Sequence, residues 1–165
     1  MNENSVINKQ LKETIDVLND VDEGMASEYA GWMRDKAIIK FKKDMPQFAI
    51  TSNYIYWCNL GINVGSEQNK IRPVLVIKTK INSTICTILP LTSERMNDTR
   101  WYHVDLEYCN STVLVEQLKN ISKLRILSPH RTKGKLTKIT TKELQEVANK
   151  YLDVSKFYTA IAGDE

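Results

Sequence analysis

With 165 residues, 42% hydrophobic and 26% charged, the chain is long enough for one domain with a real core plus an appendage and too short for two comfortable domains. No apolar run reaches the roughly 18 residues of a membrane helix, no basic segment followed by an apolar block opens the N-terminus, and the three cysteines, Cys58, Cys86 and Cys109, sit in apolar segments that suit buried free thiols. These features lead us to expect a cytoplasmic protein with no membrane partner. The formal net charge of +3 hides an asymmetry: residues 1–35 hold eight Asp/Glu against three Lys/Arg, and residues 36–165 hold twenty Lys/Arg against twelve Asp/Glu. A basic body suits a polyanionic partner, although lysines that serve solubility give the same count.

In chain order, the first 45 residues read as helix. Leu11, Leu18, Met25, Trp32 and Ile39 recur every seven positions, with Ile7, Ile15, Val21 and Tyr29 nearby, an apolar stripe suited to packing on its own domain or pairing between chains. Gly24 and Gly31 weaken the middle, so two helices joined near VDEGMAS fit as well as one, with Ser27 as a cap for the second. Pro46 ends the region. From residue 50, NYIYWCNL, RPVLVIK, STICTILPL, RWYHVDL and STVLVEQL read as strands between Gly, Asn, Ser and Asp clusters, a spacing that predicts a small antiparallel barrel or half-barrel. SPHRTKGKL reads as a basic loop. TTKELQEVANKYL reads as a helix with Leu144, Val147, Ala148, Tyr151 and Leu152 on one face and a Thr140–Glu143 capping box, placed to plug or cover the barrel. The expected divisions are an acidic helical extension over 1–46, a barrel over 50–155 and a tail over 156–165.

Three stretches carry residues suited to chemistry. In GSEQNKIRPVLVIK, proline lacks a backbone donor and favours the first residue of a strand, so Pro73 marks a strand start and Arg72 sits at the rim. In ILPLTSE, Pro90 closes a strand and leaves the hydroxyls of Thr92 and Ser93 on the following turn. In VLVEQLKNISKLRI, Glu116 and Gln117 interrupt an apolar run, and Lys123 and Arg125 follow. Glu116 either points to solvent or meets a cation across the fold. His103 and His130 lie far from any paired-cysteine spacing, so no zinc site is expected.

Taken together, GSEQNKIRPVLVI, then ILPLTS, then VEQLKNISKLRI ahead of a C-terminal helix resemble the PemK/MazF family of type II toxins over about residues 53–153. The resemblance implies an SH3-like barrel forming a homodimer, and a metal-independent endoribonuclease with no cofactor, held silent by a cognate antitoxin. Carried over by position, it implies Arg72 on the scissile phosphate, Thr92 as its hydroxyl partner and Glu116 where relatives place an aspartate beside a glutamine proposed as general base. It also implies RNA contacts from Ser66, Glu67, Gln68 and Lys70 in the loop, from Ser93, and from Gln117, Lys123 and Arg125. The chain departs from the family at Ser52-Asn53, where many relatives have Gly-Asp, at Ser66, where some have histidine, and at Leu114, where some have arginine. These departures argue against transferring the PemK acid–base assignment and leave His103 or His130 as alternative proton donors. The substrate implied is single-stranded RNA, for which Tyr54, Trp57, Trp101 and Tyr102 offer stacking surfaces, although most of them suit core or dimer contacts better. A same-fold alternative is a non-catalytic module that binds a topoisomerase or nucleic acid. The acidic extension packs on the barrel or dimer, or lies over the basic groove in the manner of an antitoxin.

Overall fold

The computed structural model describes residues 3–41 and 44–153, and the chain divides near residue 42 into two compact units. The expected tail over 156–165 lies outside the described residues. In the first unit the helical reading resolves into two helices, α1 (Glu3–Asn19) and α2 (Glu23–Phe41). The second begins on a different cap from the one expected. Asp22 Oδ1 accepts the N–H groups of Gly24 at 3.0 Å and Met25 at 3.2 Å, satisfying donors that the first helical turn leaves open, whereas Ser27 already lies inside α2. Leu11, Ile15, Met25 and Tyr29 of the seven-residue stripe stay exposed.

The second unit is built of β1 (Ile55–Gly61), β2 (Lys70–Thr79), β3 (Ile85–Thr92), β4 (His103–Leu106), β5 (Ser111–Leu114), β6 (Lys119–Ser122), β7 (Ile126–Pro129), β8 (Arg131–Thr132), β9 (Lys135–Leu136) and α3 (Thr141–Tyr151). The main sheet runs β4-β5-β3-β2-β1-β7, with β6 also on β3, and the pairings between its strands are antiparallel. This is the antiparallel sheet with a C-terminal helix that the sequence predicts. The basic stretch read as a loop forms the β8–β9 hairpin, because Lys133 and Gly134 adopt φ of 50° and 78°, the left-handed pair that a two-residue hairpin turn needs.

Pro73 and Pro90 sit inside strands rather than at their limits, for one reason. β2 pairs with β3 only from Val74 onward, so Pro73, opposite Trp57 of β1, has no partner on its other side. β3 pairs with β6 over Ile85–Ile88 and with β5 over Leu91–Thr92, so Pro90 falls in the gap where the strand changes partners. A residue without a backbone donor costs least where no ladder bond is due.

Alternation along the strands sends side chains to two buried clusters. One gathers Ile55, Leu75, Leu89, Leu91, Val104, Val113 and Val115 with Val147 of α3, and the other gathers Tyr56, Cys58, Val74, Val76, Ile88, Ile121 and Ile126, as a period of two requires. α3 packs on β4. Its capping box forms as expected, Thr140 Oγ1 accepting the Glu143 N–H at 3.2 Å and Glu143 Oε2 accepting the Thr140 N–H at 2.8 Å. Val147 is buried, but Tyr151 and Leu152 at the helix end are exposed.

Candidate active site

Arg72 and Thr92, twenty residues apart, lie just past the end of the β2–β3 ladder, whose last pair on that side is Val74 with Pro90, and they meet through Glu94. Thr92 pairs with Thr112, and Thr112 with Asp105, so a polar row crosses β3, β5 and β4 on one face of the sheet. Arg72 Nε donates to the Asn69 carbonyl at 3.2 Å, and its Nη1 lies 3.8 Å from Glu94 Oε1. The Glu94 N–H donates to Thr92 Oγ1 at 3.2 Å. Glu94 therefore ties the guanidinium and the threonine hydroxyl together, and its signal was in the sequence: the first carboxylate after the hydroxyl pair. Thr92 is only 2% exposed, with exposed Ser93 next to it. Thr112 Oγ1 donates to Asp105 Oδ1, and Asp105 Oδ2 accepts the Asn97 N–H at 2.9 Å.

The Glu94 side chain is 74% exposed, so its pairing with Arg72 contributes less than about 1 kcal/mol to stability. Its effect on an incoming anion is larger in proportion, since it competes for the same guanidinium. Glu94→Gln is expected to tighten binding of a non-cleavable RNA by about three- to tenfold at low salt, with the gain shrinking as salt rises. A binding titration at two ionic strengths measures this, and unchanged affinity at both would contradict it.

The loop between β1 and β2 is held against the segment after β5. Gln117 Oε1 accepts the Gln68 N–H at 2.8 Å, and its Nε2 donates to the Ser66 carbonyl at 3.3 Å. Lys119 Nζ sits 3.4 Å from Glu67 Oε2. Ser66, Glu67, Gln68 and Gln117 are thus brought together, and Lys70 follows them at the start of β2 with a left-handed φ of 64°. Two of the expected RNA contacts do not join this group. Lys123 is buried and donates to the Lys80 carbonyl at 2.7 Å, and Arg125 Nη1 donates to the carbonyls of Asn59 and Leu60 at 3.3 and 2.9 Å. Both cations serve backbone carbonyls at irregular places in the ladder, Lys80 just past the end of β2 and Asn59–Leu60 at the register shift near the end of β1. Among the aromatic residues, Trp57 and Trp101 keep exposed surface; Trp57 leans on His130 and Trp101 meets the edge of Tyr102, while Tyr54 lies under Lys138 Nζ.

Glu116 does not interrupt a strand. β5 stops at Leu114, and Val115–Gln117 form a short 3-10 turn. Glu116 Oε1 lies 3.5 Å from Nε2 of His103, whose Nδ1 lies 3.3 Å from Asp98 Oδ1. Asp98 also accepts the Arg100 N–H at 2.6 Å and sits 3.9 Å from each of the Arg95 and Arg100 guanidinium groups. The Arg100 backbone bond, with lesser help from His103 and the two arginines, holds the Asp98 carboxyl below the usual carboxylate range. His130 is engaged elsewhere: its Nδ1 meets Thr137 Oγ1 at 2.8 Å, and burial pushes its imidazole below the ordinary value. Burial raises the Cys58 thiol to about 12 and that of Cys109 to about 11, far from nucleophilic thiolates.

A lowered carboxyl contributes stability that is complete above its unfolded value, near pH 4, and is lost as pH falls through the folded value. Urea unfolding of the wild type and of Asp98→Asn should therefore differ most above about pH 4 and converge in stronger acid. A difference that stays constant from neutral to strongly acidic pH would contradict this assignment.

The curled antiparallel sheet closed by a C-terminal helix has the fold of MazF toxins. It matches the crystal structure of MazF (Form-I) from Deinococcus radiodurans with a TM-score of 0.53 at 19% identity, covering 67% of this chain and 99% of that one. The MazE-MazF (Form-II) structure from the same organism matches at 0.51 and 19%, covering 67% and 98%. Residues 52–153 match the family described as PemK-like, MazF-like toxin of type II toxin-antitoxin system, and the chain belongs to that family. It is 30% identical over 106 residues to the Endoribonuclease MazF of Staphylococcus saprophyticus, spanning 61% of this chain and 86% of that protein. The family match leaves α1 and α2 outside it.

Proposed function

We propose that the chain is the toxin of a type II toxin-antitoxin pair and a metal-independent endoribonuclease that cuts single-stranded RNA in the cytoplasm. The observation that carries this reading is the meeting of Arg72 and Thr92 through Glu94; the endoribonuclease name of the S. saprophyticus relative supports the same activity. In this reaction the 2′-hydroxyl of the RNA attacks its own phosphorus, so the nucleophile comes with the substrate and no metal-bound water is needed. The protein has to take the 2′-proton, offset the charge that builds on the non-bridging oxygens and let the 5′-oxygen leave. Arg72 suits the second task because a guanidinium stays charged and donates two parallel hydrogen bonds. The phosphate replaces the Glu94 carboxylate on Arg72, and as the Ser93-Glu94 turn moves aside, the Thr92 hydroxyl is uncovered to donate to the same phosphate. Glu116 is the base for the 2′-proton.

Residues 50–155 form the catalytic barrel in this reading, which acts as a homodimer, while 1–46 form an accessory arm. The MazE-MazF structures of D. radiodurans support a cognate antitoxin as the partner. Incubation of the purified protein with an RNA oligonucleotide and a chelator tests the activity. Fragments ending in 2′,3′-cyclic phosphate and 5′-hydroxyl are expected, with no cleavage when the 2′-hydroxyl at the cut site is removed. Intact RNA, fragments with 5′-phosphates, or activity that disappears with chelator would overturn the reading.

A further inference from the structure

We infer that His103 is a positioning residue for Glu116, and that Asp98, His103 and Glu116 work as a single proton-holding array; this rests on the reading of Glu116 as the base that takes the 2′-proton. The His103 side chain is 2% exposed and stands on β4 opposite Leu114. Immediately after Leu114 the chain leaves the strand for the Val115–Gln117 turn, which brings the Glu116 carboxylate back over the strand that carries the histidine. A carboxylate oxygen lies near each ring nitrogen, Asp98 Oδ1 at 3.3 Å and Glu116 Oε1 at 3.5 Å. Yet neither nitrogen makes an aligned hydrogen bond.

A buried imidazole with both nitrogens unbonded is uncommon in a folded protein and calls for an explanation. Each ring nitrogen faces a carboxylate oxygen, so the ring can hold the Glu116 carboxylate from one side while Asp98 holds the ring from the other. In the reaction the O2′–H bond breaks as the O2′–P bond forms, the proton passes to the Glu116 carboxylate that His103 orients, and the P–O5′ bond breaks with the 5′-oxygen protonated from solvent. Hydrogen bonds of this kind are commonly long before substrate arrives and tighten in the reacting complex.

The surroundings hold the ring from three sides. Asp98 is fixed by the Arg100 N–H and flanked by the Arg95 and Arg100 guanidinium groups. From α3, Lys150 Nζ donates to the His103 carbonyl and pairs with Glu146 at 3.3 Å. The Tyr102 ring meets the imidazole edge-on at 4.9 Å between centroids. Glu116, at 36% side-chain exposure, is the member open to substrate, so the exposed carboxylate touches RNA and the buried groups act through it.

The test is a double-mutant cycle in cleavage of a short RNA, comparing wild type, Glu116→Gln, His103→Gln and the double variant, with Arg72→Ala as the inactive control. Each single change is expected to lower kcat by about 10²-fold with KM nearly unchanged. The double variant should be no more than about twofold slower than Glu116→Gln, because removing the positioning group costs nothing further once the base is gone. Losses that multiply, or a His103→Gln rate within about twofold of wild type, overturn the array. If His103→Gln loses cooperative thermal unfolding, Asp98→Asn, which keeps the ring, is measured in the wild-type and Glu116→Gln backgrounds by the same criterion. A wild type that cuts no RNA overturns both the array and the proposed function. Cleavage that needs Arg72 but shows multiplying losses removes the array alone.

Discussion

Arg72→Ala is expected to lower the rate of RNA cleavage by about 10²–10³-fold or more, the range seen when a group that offsets developing transition-state charge is removed. Stability should change far less than activity, because among the described residues its polar contacts are the Asn69 carbonyl and the exposed Glu94 carboxylate, leaving mainly the packing of a partly buried stem to lose. Arg72→Lys separates charge from geometry: a lysine keeps the cation but loses the planar fork, so an intermediate rate is expected. Single-turnover cleavage of one oligonucleotide by the three proteins, with thermal unfolding as the control for folding, measures both effects. A lysine variant as fast as wild type would show that charge alone is needed at this position and that the two-oxygen contact is wrong.

The largest effect on stability is expected in the cluster beneath the site. Leu89 is fully buried on β3, opposite Leu75, and belongs to the group packed with Leu91, Val113 and Val147. Leu89→Ala should cost about 2–5 kcal/mol through lost burial and the cavity left behind, and lower Tm by about 2–4 °C for each kcal/mol. Ile81→Ala, at a residue 98% exposed, should stay within about 0.5 kcal/mol of wild type. Chemical unfolding of the two variants checks the contrast. Equal losses would mean that β3 is not the centre of the core.

Residues with strong local signals were legible from sequence. The Thr140–Glu143 box needs only a helix start and three intervening positions, and the strands that pack the sheet declare themselves by β-branched runs. Pro73 and Pro90 look like strand limits in sequence because proline chemistry is local, whereas whether a missing donor matters depends on which neighbouring strand pairs there. Val74 and Leu91 mark where pairing starts or changes partner, and neither residue announces it. The same limit explains the fate of Lys123 and Arg125. A basic residue after a strand suggests phosphate, but these cations reach back across the fold to the Lys80 carbonyl and to the Asn59 and Leu60 carbonyls of β1. Arg72 and Thr92 stand out beside Pro73 and Pro90, and their approach through Glu94 depends on strand pairing and a turn that periodicity alone does not fix. Glu94 has one local signal, its place just after the hydroxyl pair, whereas Asp98 has none, because a carboxylate in a polar turn carries no mark of what it will hold. His103 offers itself in sequence only as a lone titratable ring, since its carboxylate neighbours come from the loop before it and the turn after β5, a meeting set by tertiary structure.

The convergence of Arg72 and Thr92 on one phosphodiester is tested most directly by a crystal structure of the protein with an RNA whose 2′-hydroxyl at the cut site is replaced by hydrogen. The expected result is one phosphate within hydrogen-bond distance of both the Arg72 guanidinium and the Thr92 hydroxyl, with Glu94 displaced and Glu116 facing the 2′-position. A phosphate seated elsewhere, with Glu94 still on Arg72 and Thr92 still covered, would contradict the account.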